Sequence, residues 1–158
     1  MNRRGFVGGI AASAAALMFA GVFSDARAAQ SFRGIVVDTR PLEARGGGMA
    51  ASVIRQQLQA SLKRELAGRV GRSGPTLTVR IETVFLASYA GDGGGGRRAS
   101  GSTGSDWLDG VVIAGEQRFP MFVTQHPSVG GAWYLPQSEV NRLRALADQY
   151  AGWVARKV

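Results

Sequence analysis

Histidine 126 is the chain's single histidine, and it sits two residues before Ser128 in His126-Pro127-Ser128. A base next to a hydroxyl is the minimum for nucleophilic catalysis, with Asp106 or Asp109 available to orient the ring. No GxSxG elbow accompanies the pair. Asp106 and Asp109 stand three apart on an expected strand, so their side chains leave opposite faces and cannot act as a glycosidase pair. The stretch from Gly91 to Asp106 reads GDGGGGRRASGSTGSD and contains GxGxxG at Gly91–Gly96. A dinucleotide fingerprint needs a helix after its glycines, to aim free amides at a pyrophosphate. Here polar, glycine-broken sequence and a strand follow. No lysine completes a Walker loop, and the aspartate spacing is not that of a calcium loop. The reading is a flexible hairpin connection over about 90–105, whose Arg97 and Arg98 could meet an anionic partner.

Two other places carry binding chemistry. Gly46-Gly47-Gly48 precedes a helix, where free amides, aided by Arg45, suit a phosphate or carboxylate; the plainer reading is a soft helix entry. Trp133-Tyr134, behind Gly130-Gly131, could form an exposed platform for a lipid chain, a sugar or a protein; the plainer reading has Trp133 covering the core edge. With one histidine and no cysteine, a zinc, copper or haem site built from those ligands is excluded, and no cofactor is expected. No disulfide can form. The net charge of +8 suits polyanions, but no nucleic-acid motif is present and nucleic acid is not expected as a partner.

The elements that must position these residues begin after residue 28. Residues 1–28 show a basic head (Arg3, Arg4), an uncharged Ala/Gly-rich run from Gly5 to Ser24, and a small-x-small site at Ala26-Arg27-Ala28. Asn2-Arg3-Arg4-Gly5-Phe6-Val7 resembles a twin-arginine signal peptide, carried by the paired arginines and Phe6. Asn2, Val7 and Gly8 depart from that pattern, which leaves the general secretory route open. The resemblance implies cleavage between Ala28 and Ala29 and a periplasmic or secreted destination.

Residues 29–158 are expected to form one α+β domain. Gly34–Thr39 reads as a strand buried on both faces around Ile35–Val37, with a loop from Leu42 to Gly48 after it. Met49–Ala67 reads as an amphipathic helix, with Ile54, Leu58, Leu62 and Leu66 on one face. Thr76–Leu86 reads as a strand with Leu77, Val79, Ile81 and Phe85 alternating inward. Asp106–Ala114 and Gln117–Thr124 form a hairpin around Gly115-Glu116, and Pro120 places the second strand at an edge or a bulge. Ser128–Leu135 is irregular or a short strand. Pro136 then opens a last helix with a stripe of Val140, Leu143, Ala147, Tyr150 and Val154, widened by Leu146 and Trp153. The order is β-α-β-β-β-α: a mostly antiparallel sheet of about four strands with two helices on one face. No transmembrane segment is expected in this part.

That layout, over Gly34–Val158, is similar to small envelope-assembly lipoproteins and auxiliary lipoproteins of envelope transporters. The similarity is one of topology and departs at the N-terminus, because those proteins carry an acylated cysteine. It implies a non-catalytic accessory protein that binds an envelope protein or an anionic glycolipid. The alternative is a small periplasmic hydrolase using His126 and Ser128. Oligomeric state is left open.

Overall fold

A computed structural model gives the fold and describes residues 30–88, 104–132 and 134–158. Four strands form one sheet in the order β1-β2-β3-β4. They are β1 (Gly34–Asp38), β2 (Thr76–Phe85), β3 (Asp106–Ala114) and β4 (Gln117–Gln125). The β1–β2 pair is parallel, and the two other pairs are antiparallel. The class is α+β with a mixed, mostly antiparallel sheet. Parallel pairing of β1 and β2 requires a crossover. The helices α1 (Arg40–Ala44) and α2 (Gly48–Glu65) supply it, and α3 (Ser138–Lys157) closes the described chain.

The helix side of the sheet is the core. Ile54, Leu58, Leu62 and Leu66 are each fully buried, as their four-residue spacing predicts. Leu143, Leu146, Ala147, Tyr150 and Val154 of α3 pack beside them. The strands contribute Leu77, Val79 and Ile81 from β2, Leu108 and Val112 from β3, and Met121 and Val123 from β4. A polar clamp joins the two long helices: Asp148 of α3 accepts hydrogen bonds from Gln57 and Ser61 of α2. Arg69 donates to the carbonyls of Ala155 and Val158, placing a cation at the negative end of α3.

Several local expectations are corrected. The β1 strand is an edge strand packed on one face only: Val37 is buried, whereas Val36 is 48% exposed. The segment after it is not all loop. Pro41 fits the first turn of α1, whose Leu42 is buried against the core. In β2 the register shifts between Ile81 and Thr83, a β-bulge. One extra residue reverses the alternation beyond it. Val84 therefore packs on the helix side, and Phe85 turns to the opposite face. Residues 127–130 form a 3-10 turn. The last helix begins at Ser138 rather than at Pro136. Trp153 does not widen the stripe of α3: it is exposed, with the Arg156 guanidinium 4.3 Å above its ring.

Candidate functional site

Both long helices lie on one side of the sheet, so its other face has no layer over it among the described residues. Alternation along the strands decides what that face carries. From β3 come Trp107, Asp109, Val111 and Ile113. They pair in register with Phe85, Thr83, Arg80 and Thr78 of β2, and with Thr124, Phe122, Pro120 and Arg118 of β4. Phe85, Trp107 and Phe122 form a continuous aromatic row across three strands. The ring centroids of Phe85 and Trp107 are 5.7 Å apart with 19° between planes, and those of Trp107 and Phe122 are 5.7 Å apart at 36°. Phe85 is 46% and Phe122 59% exposed. Aromatic pairs of this kind add about 0.5–1.5 kcal/mol beyond area burial. A contiguous apolar patch facing water is the usual mark of an interaction surface.

The β1 side of this face is charged. Asp38 takes a bidentate contact from Arg40, at 2.8 and 2.9 Å, and a third from Arg80 at 3.2 Å. The Arg40 hydrogen bonds hold its carboxyl well below the usual carboxylate range, and they outweigh the burial that pushes the other way. Arg45 reaches the same face and donates to Thr83 at 2.5 Å.

The residues singled out in sequence do not converge on one site. Gly46 has φ +85°, and Gly47 caps α2 with its backbone pressed against Leu42: a side chain there would come within 2.9 Å of Leu42 Cδ1. Close approach to Leu42 accounts for Gly47 and the positive φ for Gly46; a Cβ at Gly48 would meet nothing within 4 Å. Gly48 is the first residue of α2, and Arg45 is engaged with Thr83. Tyr134 is 71% exposed. Trp133, Arg97, Arg98 and the positions read as an export signal, Arg3, Arg4, Phe6, Ala28 and Ala29, lie outside the described residues.

His126 and Ser128 do meet. Ser128 Oγ is 2.7 Å from His126 Nδ1, and the Ser128 backbone N–H donates to the same nitrogen at 3.2 Å. Nδ1 is thus an acceptor, and the ring acts as the N-cap of the turn at 127–130. Of the two orienting acids named for this pair, Asp106 is engaged elsewhere. The Asp106 side chain is fully buried and bridged to Arg142, whose Nε donates at 2.7 Å to Oδ2. Asp106 Oδ1 also accepts the Ala87 N–H at 2.9 Å, and Arg142 donates to the Ala87 carbonyl at 2.8 Å. This network joins the two ends of the β2–β3 connection to α3. Asp109 is on the uncovered face of the sheet, on the other side from Asp106.

No protein-family model matches the chain, and no curated protein matches it. Among the described residues no three of His, Cys, Asp or Glu gather as a metal set, and no helix is long and apolar enough to cross a membrane. Sequence reasoning missed the uncovered aromatic face. The one signal for it was that β3 carries Trp107, Val111 and Ile113 on one parity and Leu108 and Val112 on the other.

Proposed function

We propose that this chain is an exported, non-catalytic accessory protein that works by association, with the uncovered face of its sheet as the association surface. The row Phe85–Trp107–Phe122 supports this reading: three neighbouring rings stand on a face that no other element covers among the described residues. Residues 1–28, read as a twin-arginine-type signal, support export to the periplasm or beyond, where an envelope protein or an anionic glycolipid is the partner class. Crosslinking in the envelope fraction, followed by mass spectrometry of proteins and lipids, tests it. A specific species retained by the wild type and lost in Phe122→Asp is the expected result. Equal retention by both would sink the assigned surface. Replacing Arg3 and Arg4 with lysine should leave the protein in the cytoplasm if the twin-arginine route is used.

The 2.7 Å contact between Ser128 Oγ and His126 Nδ1 favours one other reading, a small hydrolase. A screen of ester, amide and phosphoester substrates decides it. Turnover that disappears in both His126→Ala and Ser128→Ala would replace the association reading.

A further inference from the structure

The uncovered face carries two charges without a partner among the described residues. Asp109 and Arg118 both project from it, and neither has a hydrogen-bond or ion-pair partner among the described residues. Asp109 lies opposite Phe122, and Arg118 lies opposite Ile113. They are therefore four residues apart along neighbouring strands, about 13 Å, and cannot reach each other. Midway between them, directly opposite in register, are Val111 and Pro120. Each stands two residues from one of the charges.

We propose that the occupant of this face is a second copy of the same chain, packed face to face about a two-fold axis that lies in the interface plane, runs across the strands and passes over the midpoint between Val111 and Pro120. This rests on reading the face as an association surface and assigns that face to a second copy in place of an envelope protein or glycolipid. A two-fold contact is self-complementary: what one copy presents to the other, the other presents in return. An axis across the strands at that midpoint sets Asp109 of each copy over Arg118 of the other, displaced by about one strand spacing. Two apolar sheet faces stack at about 10 Å, a spacing that side chains from both sheets fill. Strands β2, β3 and β4 are ten, nine and nine residues long. With β1 alongside, spacings of about 3.3 Å per residue and about 4.8 Å between strands give a patch of about 500–600 Å² per copy. Two copies bury about 1,000–1,200 Å², the lower limit for a specific interface. Pro120 on the outer strand disfavours the competing arrangement, lateral addition of a strand to the edge of β4.

Sedimentation velocity on the purified protein across a concentration series tests the assignment, with circular dichroism melting of each variant as the check on folding. The expected result is a dimer for the wild type and a monomer for Val111→Asp. The reversals Asp109→Arg and Arg118→Asp each weaken dimerisation by about tenfold or more, and the double reversal restores it. A wild type that stays monomeric at about 100 μM overturns the proposal. So does a dimer indifferent to both single reversals, or one that the double reversal fails to restore. A monomer that binds phosphatidylglycerol vesicles through Phe122 gives the face to a lipid surface and also overturns it. The envelope partner fails separately: a dimer that retains no envelope species leaves this inference standing and removes only that partner class.

Discussion

Asp106 and Arg142 offer the sharpest test of how this fold is held. Their side chains are 0% and 7% exposed, and they form an ion pair. Replacing Arg142 with methionine keeps most of the apolar stem and removes the cation. The Asp106 carboxylate is then buried with one remaining donor, the Ala87 N–H at 2.9 Å. The Ala87 carbonyl loses its Arg142 donor as well. Stranding one partner of a buried ion pair costs about 3–5 kcal/mol. Set against a total stability of about 5–15 kcal/mol, that is a large fraction. At about 3–4 °C per kcal/mol for a domain of this size, the melting temperature should fall by about 10–20 °C. The double variant Asp106→Asn/Arg142→Met should lose less than the two single losses combined, since neither charge is then left alone. Urea denaturation of the four proteins measures all of this. An Arg142→Met loss below about 1 kcal/mol, or strict additivity, would show that the pair does not hold the β2–β3 connection to α3 as argued.

Other outcomes follow from particular atoms. The Tyr150 hydroxyl is buried without a hydrogen-bond partner among the described residues, and burial, then the nearby charges of Asp109 and Glu82, push its pKa up beyond the usual tyrosine range. Removing an unsatisfied buried hydroxyl costs little, so Tyr150→Phe should melt at or slightly above the wild-type temperature; a fall of more than about 2 kcal/mol would mean the hydroxyl has a partner. Gly110→Ala should fail to fold or lose several degrees of melting temperature, because a Cβ there lies 2.2 Å from the Arg80 carbonyl oxygen and 3.0 Å from the Tyr150 hydroxyl. Wild-type melting temperature in Gly110→Ala would contradict the close approach of β3 to β2. Asp38 has a depressed folded pKa, so its stabilisation is complete above the unfolded value of about 4 and is lost as pH falls from there through the folded value. Asp38→Asn should therefore be less stable than wild type at pH 7, with the gap narrowing below about pH 4; a gap that widens on acidification reverses the sign of the argument.

Where the sequence was readable, one local period held without interruption. The spacing of Ile54, Leu58, Leu62 and Leu66 is a single helical face, and Gly115-Glu116 sits between two strands that pair residue for residue from Asp106↔Gln125 to Ala114↔Gln117. Strict alternation failed in β2, because counting in twos assumes a continuous ladder. The bulge at Ile81/Thr83 changes the parity, and nothing in Ile81-Glu82-Thr83 announces it. Phe85 thus reads as core and stands on the open face. Arg142 falls on the helix among Asn141 and Arg144 and reads as a surface residue; its partner is 36 positions away, and only the packed fold brings them together. Of the candidate sites, the pairing of His126 with Ser128 was legible because the two are neighbours, but its role as a turn cap depends on backbone geometry that residue types do not encode.

Strand β3 carries the functional argument furthest. An antiparallel sheet with one wet face shows apolar residues inward and polar residues outward. The first half of β2 obeys this rule, with Leu77 and Val79 inward and Thr78 and Arg80 outward. Its neighbour β3 does not: Leu108 and Val112 face the helices, while Trp107, Val111 and Ile113 face away from them. A central strand that is apolar on both sides has the composition of a strand covered on both sides. The helices cover one. The charges there with no partner among the described residues are Asp109 and, across the hairpin, Arg118, opposite in sign and too far apart to pair within one chain. Apolar content argues that the face is covered when the protein works. The placement of the two charges argues that the cover has the same pattern turned over, which a second copy of the chain supplies.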